Sequence, residues 1–209
     1  MIFQQVQTLI QNHFLNFDNI NEERKKDLDN LAKWIQQQLL QNRFLNTIVI
    51  CTHNSRRSHL GQILLSLASD FYHVTGINAY SGGTEATAFN SRMVNALSEV
   101  GFRIDINKES DNPIYSIAWG NSETQHLKNI FSKTYNDQVN PQANFLAILV
   151  CDSAAQNCPV VIGASKRVAL TYKDPKDFDG TNQEKEAYQE KIFEMGTEIF
   201  YLLNQVTKL

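Results

Sequence analysis

Chemistry in this chain has few places to begin. Its 209 residues include three cysteines, Cys51, Cys151 and Cys158. Cys51 ends the apolar run Ile48-Val49-Ile50, and after five intervening residues, Thr52, His53, Asn54, Ser55 and Arg56, come Arg57 and Ser58. A loop of this kind between a strand and a helix suits a tetrahedral oxyanion. Its backbone N–H groups can turn inward as a nest, and the helix N-terminus adds its positive end. Arg57 can fork two hydrogen bonds onto the anion. The same positive field favours a thiolate, which makes Cys51 the candidate nucleophile. Asp174, in Lys173-Asp174-Pro175, suits the general acid that a departing group needs. Cys151 and Cys158 are separated by six residues of small and polar types, a spacing compatible with thiol–disulfide relay. Each thiol also has a plain alternative, Cys151 as a small buried apolar residue and Cys158 as an inert loop thiol. No Cys-x2-Cys pair and no nearby histidine accompanies them, so zinc is not expected.

The elements around these residues are arranged to place them together. Thr47 to Cys51 reads as a first strand, and Ser58 to Val74 as the helix behind the loop, with Leu60, Ile63, Leu64, Leu67 and Phe71 inward. Ile77 to Ser81 is a second strand running into Gly82-Gly83-Thr84, where two glycines allow close backbone approach. Phe89 to Val100 is helical and ends at Gly101. Phe145 to Val150 is a buried strand ending at Cys151, and Arg167 to Tyr172 is the last core strand. Thr181 and Glu184 form a capping-box pattern before the amphipathic helix Gln183 to Val206. Strands alternating with helices predict an α/β sandwich on a parallel sheet. In such sheets sites form beyond the carboxyl ends of the strands, and Cys51, Cys151 and Asp174 all leave strands at that edge.

Two regions fall outside this alternation. Residues 1–46 predict two polar amphipathic helices. The first carries Ile2, Phe3, Val6, Ile10 and Phe14. The second is capped at Asn21 and striped by Leu28, Leu31, Ile35 and Leu39, with Trp34 and Leu40 widening the stripe. They are expected to pack on the domain formed by residues 47–209. Residues 105–144 are less regular. One extra strand is expected near Ile114 to Trp119, and residues 126–135 are ambiguous between strand and helix.

Composition sets the outer bounds. A 42% hydrophobic and 20% charged chain is expected to fold with a substantial core. A net charge of −3 argues against a large nucleic-acid surface. No apolar run is long enough for a membrane span, and the first twelve residues lack a basic start and an apolar signal core. The cytoplasm is therefore the expected location, where an odd cysteine count points to thiols with roles rather than to a disulfide framework.

From about Thr47 onward the chain resembles the low-molecular-weight tyrosine phosphatase superfamily, and within it the thioredoxin-coupled arsenate reductases. The matching pieces are VICTHNSRRS at 49–58, YSGGTE at 80–85, LVCDSAAQNCP at 149–159 and TYKDP at 171–175. The resemblance implies a four-stranded parallel sheet in the order 2-1-3-4. It assigns Cys51 as nucleophile, Arg57 as anion clamp and Asp174 as acid, with Asn54, Ser58 and Ser81 holding the loop. In the reductase branch the residue matching Cys51 attacks arsenate, the match to Cys151 then releases arsenite as a disulfide forms, and the match to Cys158 carries the disulfide to thioredoxin. No organic cofactor is implied. A potassium site is implied at Asn54, Ser81 and Asp111, although Gln62 stands where a glutamate is expected. His53 replaces the usual loop glycine, and Arg56, in place of a common second cysteine, is expected to point to solvent.

Three functions remain open on sequence. One is an arsenate reductase-like enzyme using all three cysteines. The second is a phosphatase for phosphotyrosine or aryl phosphates, needing only Cys51, Arg57 and Asp174. The third is a non-catalytic oxyanion-binding module. Lys176-Asp177 follows Asp174-Pro175 where the phosphatase branch carries two aromatic residues, which favours the reductase.

Overall fold

The structure, a computed structural model, describes residues 1–157 and 160–208. Its centre is β1 (Leu45–Cys51), whose residues Ile48 and Ile50 are wholly buried. β1 is flanked by β2 (Ile77–Gly83) and β6 (Phe145–Leu149), and β7 (Ala164–Ala169) completes a parallel sheet in the order β2-β1-β6-β7. Counting only the parallel strands, this is the expected order 2-1-3-4. Strands buried on both faces need no polar alternation, which is why β1 and β6 read as continuous apolar runs. Helix α3 (Arg57–Phe71) packs along β1 and β2. The long helix α6 (Glu184–Lys208) packs against α2 (Glu22–Asn42), α3 and α4 (Ser91–Glu99). Gly61 of α3 lets the helix come down onto the sheet, since a Cβ there would lie 2.7 Å from Val49 Cγ1.

Several boundaries differ from those read in the sequence. β1 begins two residues before Thr47, because Leu45 and Asn46 still pair with Ile77 and Asn78. α4 starts at Ser91, not Phe89, because the Asn90 side chain accepts from the Arg92 and Met93 N–H groups and fixes the cap there. Before α6, Thr181 Oγ1 accepts from the Gln183 N–H, whereas the Glu184 carboxylate takes the Gly180 N–H at 2.6 Å, so the reciprocal box is offset.

The N-terminal segment is α1 (Gln4–Leu9), a π-helical continuation over Ile10–Phe14, and α2 (Glu22–Asn42) capped by Asn21. Val6, Ile10, Phe14, Leu28, Leu31 and Ile35 belong to one hydrophobic cluster with the sheet residues. The fit is closest at Gly196 of α6, where a Cβ would sit 2.2 Å from Phe14 Cε1. Leu40, expected to widen the α2 stripe, is 77% exposed, because the seam with α6 is filled by the residues before it.

Residues 103–130 contain more order than the sequence suggests. β3 (Arg103–Lys108), β4 (Ile114–Ala118) and β5 (His126–Ile130) form a separate antiparallel sheet in the order β3-β4-β5. Thus 126–130 is strand. After it the chain turns back to the main sheet through a parallel bridge between Gly83 and Thr134. Gly82 and Gly83 permit that approach, as expected of them, because a Cβ on Gly82 would lie 2.4 Å from Tyr135 Cα.

Candidate active site

Cys51 is the last residue of β1 and Arg57 the first of α3, so the intervening loop sits where the strand's carboxyl end meets a helix N-terminus. The loop's carbonyls are satisfied from outside. Cys51 O accepts from the Thr84 N–H, Thr52 O from the Glu85 N–H, and Ser55 O from the Asn90 N–H. His53 O accepts from the Thr87 and Ser132 hydroxyls. With its carbonyls bonded outward, the loop has its N–H groups available for an anion at its centre. Asn54, at φ 44°, takes the left-handed turn that closes the ring, a conformation asparagine tolerates better than most residues.

The nucleophile candidate is held by a short buried chain. Asn54 Nδ2 donates to Ser58 Oγ at 2.8 Å, which leaves the Ser58 proton for Cys51 Sγ at 3.0 Å. Asn54 and Ser58 are completely buried, so the chain is shielded from competing water. Ser81 does not reach the loop through its hydroxyl. Its Oγ instead meets His59 Nδ1, 3.2 Å away in the first turn of α3. His59 is wholly buried and stacks on Phe89, and desolvation, with the Lys133 charge nearby, holds its pKa well below the usual histidine range.

Arg57 and Asp174 meet directly. Arg57 Nη2 donates to Asp174 Oδ2 at 2.6 Å, and Nη1 donates to Tyr172 O at 2.6 Å. Asp174 also caps a 3-10 turn over Pro175–Phe178 by accepting the Lys176 N–H at 3.1 Å. The acid candidate therefore stands at the loop's rim, paired with the anion clamp. Arg56 does not point to solvent. Its Nε donates to Tyr188 Oη at 2.8 Å and its Nη2 to Asp179 Oδ2 at 3.1 Å, because α6 and the turn after Asp174 present both acceptors beside it. His53 is the loop residue that is exposed, with Nε2 3.7 Å from Glu85 Oε2.

Cys151 ends the run that follows β6 and lies directly beside the loop. Its Sγ is 3.4 Å from Thr52 Oγ1, adjacent in sequence to Cys51, and 3.4 Å from the Ala154 N–H in α5 (Asp152–Asn157). Cys151 is only 2% exposed. Cys158 lies outside the described residues. Of the three residues expected at a cation site, Asn54 and Ser81 are completely buried. Asp111, their one carboxylate, is exposed in the β3–β4 turn, and Asn54 Oδ1 accepts the Lys133 N–H at 2.9 Å. The Lys133 side chain, itself cationic, is buried in the same region. Among the described residues no cluster of three or more His, Cys, Asp or Glu is placed to hold a metal.

Lys133, Tyr188 and Asp179 are the parts of this arrangement the sequence did not announce. Lys133 is 6% exposed, donates to Phe131 O, and has its pKa lowered to about 8 by burial. Lys133 and Tyr188 are polar residues at buried positions and Asp179 is half-buried, and one sequence does not distinguish such positions from surface ones.

No protein-family model matches the chain. Among curated proteins it is similar to an arsenate reductase of Bacillus subtilis, 28% identical over 144 residues, 68% of this chain and 83% of that protein. Among solved structures it resembles a low-molecular-weight protein tyrosine phosphatase from T. tengcongensis, with TM-score 0.50 and 16% identity over 79% of this chain and 99% of that one. A further likeness is an arsenate reductase in the phosphate binding state, with TM-score 0.50 and 14% identity over 78% and 99% of the two chains. No helix among the described residues is long and apolar enough to cross a membrane.

Proposed function

We propose that this chain, which shares the fold of low-molecular-weight protein tyrosine phosphatases and is 28% identical to an arsenate reductase, reduces arsenate through its cysteines. The observation that carries this reading is the place of Cys151, whose Sγ lies 3.4 Å from the Thr52 hydroxyl at the rim of the oxyanion loop. A phosphatase has no use for a second thiol there.

In this reading the loop N–H groups and Arg57 bind arsenate, and the Cys51 thiolate attacks arsenic as one oxygen leaves as water. Asp174, once Arg57 turns to the anion, supplies a proton to that oxygen. The Cys151 thiolate then attacks Cys51 Sγ. The As–S bond breaks, its electron pair stays on arsenic, and arsenite leaves as the Cys51–Cys151 disulfide forms. The two thiols supply the two electrons. Cys158 next displaces Cys51 from Cys151, and an external dithiol such as thioredoxin reduces the resulting 151–158 disulfide.

A second reading is hydrolysis of aryl phosphates through a Cys51 phosphoenzyme. It is favoured by Phe178, which is 40% exposed at the end of the turn that Asp174 begins and offers an aromatic wall that Lys176 and Asp177 lack. The two readings separate by mutation. Cys51→Ser should abolish both activities. Cys151→Ser and Cys158→Ser should stop arsenite formation with thioredoxin and thioredoxin reductase while sparing p-nitrophenyl phosphate hydrolysis. Normal arsenate reduction by either of the latter variants would refute the relay.

A further inference from the structure

Away from the oxyanion loop, the two sheets leave a wedge between them. β2 is an edge strand of the parallel sheet and β5 an edge strand of the antiparallel one. The chain leaving β5 meets β2 at the Gly83–Thr134 bridge, where Gly83 N–H donates to Lys133 O and Tyr135 N–H donates to Gly83 O. Towards the start of β2 no ladder joins the strands, and the wedge opens into a groove of about 860 Å³ floored by α3. Ligand sites commonly occupy roughly 300–1,000 Å³.

The inner end of this groove is built from polar groups. Alternate residues of β2 point outward, in phase with Gly83, which places the Ala79 and Ser81 backbone groups on the groove side. Their carbonyls are already taken, Ala79 O by Gln62 Nε2 at 3.0 Å and Ser81 O by Asn140 Nδ2 at 3.1 Å. Those bonds fix the orientation of both amides, so that Gln62 Oε1 and Asn140 Oδ1 are buried acceptors without a partner among the described residues. Gln62 is 5% and Asn140 3% exposed. Lys133 also lines the groove, and its ammonium donates to Phe131 O at 3.2 Å. The carboxylate on the groove floor, Asp70, is engaged by Trp119 Nε1 and Gln125 Nε2, while His73, His126 and Lys128 line the walls. A buried cation lining the same groove as two buried acceptors suits a ligand that carries both a negative group and N–H donors.

We propose that the groove receives the carboxyl-terminal tail of a partner protein in extended form, its terminal carboxylate at Lys133 and its last N–H groups at Gln62 Oε1 and Asn140 Oδ1. The wedge is open at one end and closed by the Gly83–Thr134 bridge at the other, so a chain end reaches Lys133 more readily than a continuous segment does. Edge strands flank the groove on both sides, a usual setting for extended peptides, with side-chain acceptors replacing the β2 carbonyls that Gln62 and Asn140 occupy. The groove adjoins the oxyanion loop through the Lys133 N–H, which donates to Asn54 Oδ1, but tail binding there stands whether or not the proposed reduction does.

The test uses the full chain and a fluorescein-labelled pentapeptide of alternating valine and threonine with a free carboxyl terminus, followed by fluorescence anisotropy. The same peptide amidated at its C-terminus should bind about tenfold more weakly or worse, a difference of one charged contact. Lys133→Gln, with its near-UV circular dichroism checked against the parent, should lose the preference for the free acid. Equal affinity for acid and amide on the parent protein would overturn the proposal without recourse to any variant. So would absence of binding up to about 1 mM, the weak limit of a specific contact. N-acetylalanine competing as well as the pentapeptide would assign the groove to small carboxylates and refute a tail as its occupant.

Discussion

Replacing Arg56 with alanine tests whether the turn carrying Asp174 is clamped to the oxyanion loop. The guanidinium makes two hydrogen bonds, to Tyr188 Oη at 2.8 Å and Asp179 Oδ2 at 3.1 Å, and Tyr188 Oη in turn donates to Asp179 Oδ1 at 2.8 Å. Side-chain exposure is 17% for Arg56 and 25% for Asp179, so the pair is neither solvated nor sealed. A bond to a charged group contributes about 1.5–3 kcal/mol when buried and under about 1 kcal/mol when exposed. Two bonds of intermediate burial, with Asp179 keeping Tyr188 and a distant Arg92 at 3.8 Å after the truncation, give a loss of about 2 kcal/mol. For a chain of this size that lowers Tm by about 4–8 °C. Arg56→Lys keeps the charge without the fork and should recover about half of the loss. Urea titrations with unchanged m would measure it. The same variant should lower kcat for p-nitrophenyl phosphate more than it raises KM, because Asp174 begins the turn that ends at Phe178, next to Asp179. A loss below about 0.5 kcal/mol, the scale of ordinary surface substitutions, would refute the clamp.

Two other substitutions probe different parts of the fold. Lys133 has its pKa lowered from 10.5 to about 8 by burial, so the folded state releases this proton before the unfolded state does. The destabilisation from burying the charge is then fully present below about pH 8 and is relieved as pH rises towards the unfolded pKa near 10.5, a change on the order of 3 kcal/mol. Lys133→Met should remove that rise, as measured by the difference between the two proteins' urea midpoints across pH 7 to roughly 10.5; parallel pH curves would contradict it. Gly196→Ala should destabilise by about 1–3 kcal/mol, since the new methyl would meet Phe14 Cε1 at 2.2 Å, and a neutral effect by thermal unfolding would mean the N-terminal segment shifts away freely.

What the sequence made legible is local. Cys51 and Arg57 belong to one strand–loop–helix unit, and the apolar runs of β1 and β6 announce buried parallel strands. Arg56 was misread because both its acceptors lie more than a hundred residues away, at Asp179 and Tyr188, and nothing in Arg56-Arg57 separates an inward from an outward guanidinium. Lys133 was missed for the same reason, since its burial is imposed by the return of the chain from β5 to Gly83. The antiparallel sheet escaped notice because β3 is largely exposed, which erases apolar alternation, and because irregular pairing interrupts both of its ladders.

The position of Cys151 also constrains how the proposed relay must move. The Cys151 thiol is 2% exposed, beside the Thr52 hydroxyl and accepting from the Ala154 N–H, so a further thiol has no open path to it. The second exchange therefore requires α5 to open. A six-residue helix is far below the length at which helices persist unaided, so α5 is held by its contacts with β1 and β6 rather than by its own ladder. A Cys51–Cys151 bond would engage the same Sγ that accepts the Ala154 N–H at the start of that helix. In the proposed relay the first exchange would thus weaken the element that covers Cys151, and the order of the two steps would follow from burial.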